Sequence, residues 1–171
     1  MASINNLEVK AVKYYPDHEG AMIPYGNLYY KNKKVGGFKY DSWGGPMMYD
    51  HTHKTISEEE VSKALHGIVE EMGWHKFYDS TEILIEELIE LKEMEREFKK
   101  AQKQGRILLV HHQDRYQDPF KELSTILPTS MYTVGEKATK EDIDRITKEI
   151  IEENGGRGAV TAYRTLDDFV L

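Results

Sequence analysis

Histidine and aspartate side chains occur in two short segments where they could hold a metal ion. His51 and His53 are two residues apart and share one side of the chain if that stretch is extended. His111, His112 and Asp114 follow a short apolar run. Imidazole and carboxylate ligands suit Zn²⁺, Mn²⁺ or Fe²⁺, and such an ion would activate water. These five residues predict one alternative function, a metal-dependent hydrolase.

A simpler interpretation of the histidines is a polar loop after a strand, and the sequence favours it. Their spacing matches no established ligand motif such as His-Glu-x-x-His. Cysteine is absent, which excludes disulfides, thiolate metal sites and a cysteine nucleophile. No Gly-x-Ser-x-Gly motif occurs, and the adjacent glutamate pairs lie on predicted helices, where such runs are usually solvated. We therefore expect a protein that is not an enzyme and needs no cofactor.

Paired glycines among aromatic residues form the second candidate site. Gly36-Gly37 and Gly44-Gly45 allow the backbone to approach a ligand closely, unless they only permit a strongly twisted, bulged sheet. Interface energy concentrates in Trp and Tyr side chains, so we expect Tyr29, Tyr40 and Trp43 to contact a protein partner. Stacked tyrosines with nearby lysines would alternatively make a sponge for a small signalling nucleotide. The lysines available for that role are Lys33, Lys34 and Lys39.

Acidic residues on a long predicted helix form the third candidate site. The chain has 23 basic and 30 acidic side chains, a net charge of −7, and the first 50 residues do not share this acidity. A net negative charge disfavours unspecific binding to nucleic acids, while an acidic face attracts a basic protein surface. Solubility alone would also explain the charge. The residues that would meet a basic groove are Glu86, Glu87, Glu90 and Glu93.

The N-terminal 50 residues have the pattern of antiparallel strands. They hold nine of the 18 aromatic residues, and Leu7, Val9 and Ala11 alternate with charged neighbours. Asn32 tolerates the positive φ of a tight hairpin turn between two aromatic segments. Trp43-Gly44-Gly45-Pro46 then closes the sheet in a turn. The expected structure over residues 1–55 is a β-meander.

Two helices are expected in the middle of the chain, over residues 56–105. Ser57 and Glu60 form a capping box, and the first helix ends at Gly73. The second runs from near Thr81 to Gln104, about 35 Å at 1.5 Å per residue. Its apolar seam resembles a short coiled-coil stripe, so a homodimer through this helix is an alternative. The seam consists of Leu84, Leu88, Leu91 and Phe98, and Glu95 interrupts it.

Strands and helices alternate over residues 106–171. The pattern predicts strands at 106–111, 130–134 and 159–163, a short helix from Asp118-Pro119, and a helix capped by Thr139 that ends at 154–156. A β-α-β-α-β order suits a small mixed sheet covered by helices. Together the three regions predict an α+β fold, and the length predicts a single domain over residues 1–171.

No segment predicts a membrane span or an N-terminal targeting sequence. The longest apolar run, Ile107–Val110, has four residues, whereas a span needs about 20. With 39% hydrophobic residues, the chain can still build a core. We therefore expect a cytoplasmic protein that does not contact membranes.

Three segments of the N-terminal region resemble small uncharacterised proteins of bacteriophages and prophages. They are His18-Glu19-Gly20, residues 27–36 (NLYYKNKKVG) and residues 41–46 (DSWGGP). The family has no activity to transfer to particular residues. What the resemblance implies is a phage context, in which small acidic proteins often inhibit a host defence protein, as anti-CRISPR proteins do. The leading hypothesis is thus a non-enzymatic inhibitor that binds a host protein in the host cytoplasm.

Overall fold

The computed structural model describes residues 2–71, 81–112, 128–156 and 158–170. Its elements confirm the predicted α+β class, with two antiparallel sheets and three helices, one of them long. In chain order they are β1 (Leu7–Pro16), β2 (Met22–Tyr30), β3 (Lys33–Tyr40), β4 (Met47–His51), α1 (Glu58–Glu71), α2 (Thr81–Lys103), β5 (Arg106–His112), β6 (Pro128–Gly135), α3 (Lys140–Glu153) and β7 (Ala159–Tyr163), followed by a 3₁₀ turn at Leu166–Phe169.

The N-terminal sheet is a meander in which each strand pairs with the next, in the order β1-β2-β3-β4. Lys31 and Asn32 both have positive φ, at 49° and 63°, so they form the tight two-residue hairpin expected from Asn32. The fourth strand, β4, was not predicted, because the glycine-rich turn before it was interpreted as the end of the sheet.

A bulge in β1 changes which of its residues face the core. Cross-strand partners share a face, and the pairs Leu7–Tyr30 and Val9–Leu28 bury theirs. The register shifts between Lys10 and Lys13, where Ala11 has a φ of 54° and is exposed. The alternation predicted through Ala11 was therefore wrong at its last position, because the bulge adds residues to one strand only.

Helix α1 begins where the sequence places it. The Ser57 hydroxyl accepts a hydrogen bond from the Glu60 backbone N–H at 3.1 Å, and Ile56 and Val61 on either side are buried. The expected end at Gly73 lies outside the described residues. Glu60 uses its carboxylate in an ion pair with Lys31, at 3.1 Å.

Helix α2 is buried around most of its circumference from Leu84 to Glu95, whereas its C-terminal turns are exposed on one side. The seam residues Leu84, Leu88, Leu91 and Phe98 are all buried within the chain, so the structure gives no support to a homodimer through that seam. Glu95, which interrupts the seam, is also buried and pairs with Lys99 at 2.7 Å. Gly105, with a φ of 63°, follows the helix as predicted.

The C-terminal sheet has the order β6-β5-β7 and is antiparallel throughout its described strands, where a mixed sheet was expected. The connection through α3 passes over β5, so β6 and β7 run parallel to each other without being neighbours. One face packs against α3 in a core cluster of Ile107, Leu109, Val134, Ile143 and Ile150. The predicted helix at Asp118-Pro119 lies outside the described residues.

The other face of this sheet is covered by aromatic rings. Tyr163 of β7 stacks on Phe169 with centroids 4.6 Å apart, and Phe169 contacts Phe98 of α2 at 5.3 Å. Leu108, directly opposite Tyr163, is buried on the same face. Strand β5 is thus buried on both sides.

Helix α3 has the predicted cap. The Thr139 hydroxyl accepts from the Asp142 N–H, while the Asp142 carboxylate accepts from the Thr139 N–H, a complete capping box. These hydrogen bonds to Thr139 lower the pKa of Asp142. Gly155 and Gly156, both with positive φ, end the helix as expected.

The chain forms two compact units, one of residues 1–92 with 170–171 and one of residues 93–169. The boundary between the two units falls inside α2. Among the described residues, no helix combines the length and apolar character needed to cross a bilayer.

Candidate functional site

Two turns meet at one end of the N-terminal sheet. Pro16 pairs with Met22 at the end of the first hairpin, and Tyr40 pairs with Met47 at the end of the third. Since neighbouring strands are antiparallel, the turns 17–21 and 41–46 lie at the same end of the sheet. This pairing brings together residues that are more than 20 positions apart in the chain.

Aspartate side chains hold both turns in shape. Asp17 accepts hydrogen bonds from the backbone N–H groups of Glu19 and Ala21, each at 2.8 Å. Asp41 accepts from the Trp43 N–H at 3.1 Å, and its carbonyl accepts from the Gly44 N–H at 3.2 Å. Short polar side chains commonly close turns in this way.

His18 connects the two turns by hydrogen bonds, and its ring stacks on Trp43. Its backbone N–H and its ring Nδ1 lie 3.0 and 2.9 Å from the Ser42 carbonyl oxygen. Because a carbonyl only accepts, Nδ1 bears the proton. The imidazole then stacks on the Trp43 indole, with centroids 5.4 Å apart and planes 23° from parallel.

Large apolar side chains are exposed at this end of the sheet. Trp43 is 78% exposed although its ring is held in place by His18. We call the exposed side chains of the two turns and of the strand ends next to them the turn-end patch, which consists of Tyr14, His18, Met22 and Trp43. An exposed cluster of this kind is typical of a surface that binds another molecule.

The other two aromatic residues predicted to contact a partner are less accessible. Tyr40 is half-buried, and its hydroxyl donates a hydrogen bond to Glu86 of α2. Tyr29 lies on the opposite face of the sheet, where the Lys10 ammonium sits 4.4 Å above its ring. Of the predicted aromatic contacts, Trp43 is therefore the one presented to solvent.

The four glutamates proposed as an acidic contact surface do not form an exposed stripe. Glu87 is buried, with 7% exposure, and Glu86 is directed toward Tyr40. Glu90 and Glu93 are partly exposed, and Glu93 lies 4.0 Å from Arg96. Burial raises the pKa of Glu86, so its charge is disfavoured where it lies.

His51 and His53 lie at and just after the end of β4, where they organise the chain that leads into α1. His51 Nε2 is 3.1 Å from the His53 carbonyl oxygen and 2.9 Å from that of Ile56, so Nε2 must be the donor. His51 Nδ1 is 3.1 Å from the Tyr49 hydroxyl. His53 Nδ1 accepts from the N–H groups of Thr55 and Ile56. Three ring nitrogens of the pair are thus used within the protein.

Tyr49 is suited to donate to His51. Burial raises the pKa of Tyr49 to about 12, with further contributions from the Glu58 and Asp50 charges. Its hydroxyl therefore remains protonated at neutral pH, and His51 Nδ1 is the acceptor. This arrangement gives His51 a structural role at the end of β4.

His111 and His112 end β5 in the second compact unit. His111 is 1% exposed and packs so closely on Gly158 that a Cβ there would lie 2.5 Å from its Nε2. Asp114, the remaining predicted ligand, lies outside the described residues. Within residues 2–71, 81–112, 128–156 and 158–170, no three His, Cys, Asp or Glu side chains form a group that could hold a metal ion. The hydrolase alternative gains no support from this part of the chain and stays a hypothesis.

No protein-family model matches the chain, and no curated protein or solved structure is significantly similar to it. What the protein does must follow from the chemistry of its own surfaces.

The sequence predicted Trp43 but not the residues around it. His18 becomes its neighbour because the turns 17–21 and 41–46 lie at the same end of the sheet, which a single sequence does not reveal once β4 is missed. One feature that could have indicated the arrangement is the pair of turn aspartates, Asp17 and Asp41, each followed within four residues by glycine.

Proposed function

We propose that the chain is a non-enzymatic protein that binds a partner protein through the turn-end patch, with Trp43 as the anchor. The observation that supports this proposal is a tryptophan that is 78% exposed yet fixed by stacking on His18. Exposing an indole to water is unfavourable, and stacking on His18 leaves most of this one exposed.

Rigidity is what makes this tryptophan an effective anchor. A side chain that is already ordered before binding loses little conformational entropy when it enters a pocket. His18 fixes the indole, and the hydrogen bonds from Asp17 and Asp41 fix the turns beneath it. Trp is also the residue type in which interface energy concentrates most often.

The partner surface that fits this patch is an apolar pocket with hydrogen-bond acceptors at its rim. The indole N–H is a hydrogen-bond donor, and the Trp43, Met22 and Tyr14 side chains of the patch offer apolar area and few charges. The resemblance to phage proteins implies a more specific proposal, in which the partner is a host defence protein and binding inhibits it. A protein of this size would act by covering the surface that its partner needs.

The test is capture of a partner from bacterial lysate with tagged wild-type protein and two variants. Trp43→Ala removes the anchor, and Leu166→Ala is the matched control because Leu166 is an exposed apolar residue at 40% in the other compact unit. We expect one stoichiometric protein to be retained by wild type and by Leu166→Ala. Its affinity for Trp43→Ala should fall about 30-fold, the size of a hot-spot residue.

Thermal unfolding of the variants accompanies the capture experiment. Because Trp43 is exposed, its removal should change stability little, so lost binding cannot be attributed to unfolding. Equal capture by wild type and Trp43→Ala would contradict the proposal. A partner lost on charge reversal of Glu90 and Glu93 but not with Trp43→Ala would instead support the acidic-surface version.

A further inference from the structure

The N-terminal sheet has a second face, opposite its core, that carries an ordered arrangement of tyrosines and lysines. Cross-strand pairs identify its members, because directly opposite residues share a face. Tyr25 is paired with Lys13 on β1 and with Lys39 on β3, and Tyr29 is paired with Lys34. We call this surface the open face; its charged residues are Glu8, Lys10, Lys13, Lys34, Lys39 and Asp50.

The open face is positively charged although the whole chain is not. Four lysines share it with two carboxylates, and one of those, Glu8, is ion-paired with Lys10 at 2.7 Å. The chain as a whole has a net charge of −7. Lys13, Lys34 and Lys39 are exposed, so their charges are available to a ligand.

Tyr25 is the centre of this face. It is 37% exposed, lies on an inner strand and has a lysine on each side. The Tyr15 ring meets it edge-on, with centroids 5.6 Å apart and planes at 65°, which limits the ring's freedom. A flat aromatic surface between two cations is a platform for a nucleobase whose phosphates carry negative charge.

The fold requires glycine at position 36 but not at position 37. A Cβ on Gly36 would approach the Tyr49 ring to 2.6 Å and would overlap the Asp50 carbonyl, so only glycine fits there. A Cβ on Gly37 would meet one backbone oxygen, at an ordinary 3.6 Å. Glycine weakens a strand interior, so its presence on an accessible face points to a ligand that approaches the backbone closely.

The geometry points to a second binding site on the open face, for short single-stranded nucleic acid. One base stacks on Tyr25 while Lys13 and Lys39 contact phosphates beside it, and the chain of the ligand crosses the bare backbone at Gly37 toward Lys34. Tyr25 and Tyr29 are four residues apart on β2, about 13 Å at 3.3 Å per residue. Cations spread over that length suit an oligonucleotide better than a mononucleotide with its phosphates at one end.

A single strand fits this surface better than a duplex does. Stacking on Tyr25 requires an unpaired base, because the base faces inside a duplex are already stacked on one another. The acidic remainder of the chain repels long duplexes, which is the basis for the expectation that the protein does not bind nucleic acids unspecifically. The site does not depend on the turn-end patch, so the two proposals can fail separately.

The test is fluorescence anisotropy of a labelled oligothymidylate of about 12 nucleotides, titrated with the full-length protein at low salt. We expect a Kd on the order of 10 µM that weakens with added salt, by about 0.7 in log K per log salt for each phosphate contact. Tyr25→Ala should weaken binding about 10-fold. Lys13→Gln combined with Lys39→Gln should weaken it and reduce the salt slope.

Matched variants separate the site from general charge effects. Lys137→Gln with Lys140→Gln neutralises two exposed lysines of the other compact unit and should leave binding unchanged. Gly37→Leu places a side chain on the floor of the site without altering charge, and it should reduce affinity while the melting temperature is maintained. Trp43→Ala should bind the oligonucleotide like wild type.

Four results would overturn the proposal. One is the absence of binding at low salt with protein near 1 mM, well above the range of ordinary unspecific complexes. Another is equal affinity for an abasic oligomer of the same length, which would mean that charge alone attracts the ligand. Equal affinity for a duplex would exclude base stacking, and full competition by thymidine monophosphate at equal concentration would exclude an extended strand.

Discussion

The two sheets of this protein differ in how many of their faces are covered. In the C-terminal sheet, Leu109 faces the α3 cluster while Leu108 lies on the aromatic side with Tyr163, so β5 has no accessible face. In the N-terminal sheet, one face holds the core and the other presents Tyr25 between lysines. A sheet face that is covered by other elements cannot meet a ligand, whereas the uncovered face of an antiparallel sheet can.

We expect the largest losses of stability from substitutions in β5, and these substitutions test whether the strand is buried on both faces. Leu108→Ala and Leu109→Ala each leave a cavity on a different face, and each should lower the free energy of unfolding by about 2–5 kcal/mol. Tyr25→Ala on the open face should lower it by about 1 kcal/mol or less. Urea denaturation followed by circular dichroism measures all three. A small effect at either leucine would show that its face is not a true core.

Sequence periodicity indicates most of this difference in burial between the two sheets. The unbroken run Ile107–Val110 is typical of a strand buried on both sides, and the alternation around Leu7 and Val9 is typical of one buried on a single side. Helix boundaries followed from caps and glycines, as at Thr139 and Gly105. Local chemistry determines these features, so a single sequence contains them.

Strand pairing and bulges were not accessible in the same way. The fourth strand and the positive φ of Ala11 depend on which segments become neighbours, and no local pattern states that. Trp43, Tyr40 and Glu86 were all predicted as contact residues from their types alone. Of these, Tyr40 and Glu86 instead form a hydrogen bond to each other within the protein. The open face combines residues of all four strands β1–β4, and the net charge of the chain concealed its local charge.

The second-largest effect compares the two glycines of β3. Gly36→Ala forces a Cβ against the Asp50 carbonyl and the Tyr49 ring, so it should destabilise the protein by about 1–3 kcal/mol. Gly37→Ala adds only an ordinary contact, 3.6 Å from the Gly26 carbonyl oxygen, and restricts the unfolded chain, so it should be neutral or stabilise by about 0.4–1 kcal/mol. Denaturation midpoints of the two variants give the comparison. Equal destabilisation would mean that the glycine at position 37 is structural, which removes one support of the open-face site.

A smaller effect is expected from two carboxylates, one in each compact unit, whose contributions to stability change with pH in opposite directions. Asp168, in the second unit, accepts hydrogen bonds from the Arg164 and Thr165 N–H groups at 2.7 and 2.8 Å, and these bonds lower its pKa. Its contribution to stability is therefore present above its unfolded pKa of 3.8 and is lost as the pH falls through the lower folded value. Asp168→Ala should reduce the melting temperature by a few degrees at pH 7, and this loss should shrink as the pH falls below 3.8. A pH-independent loss would mean that the hydrogen bonds do not require the charged carboxylate.

Glu86, in the first unit, should show the opposite sign and the smallest effect. Burial raises its pKa above 4.5, so the folded state is favoured while the group is protonated, and that contribution declines as the pH rises through the folded pKa. Glu86→Gln keeps an acceptor for the Tyr40 hydroxyl and removes the charge. The variant should therefore melt slightly higher than wild type at pH 7 and match it below pH 4.5, where both side chains are neutral. Melting curves from pH 3 to 8 measure this difference. If Glu86→Gln melted lower at pH 7, the carboxylate would be stabilised in place by its charge, and the inference that burial disfavours that charge would be wrong.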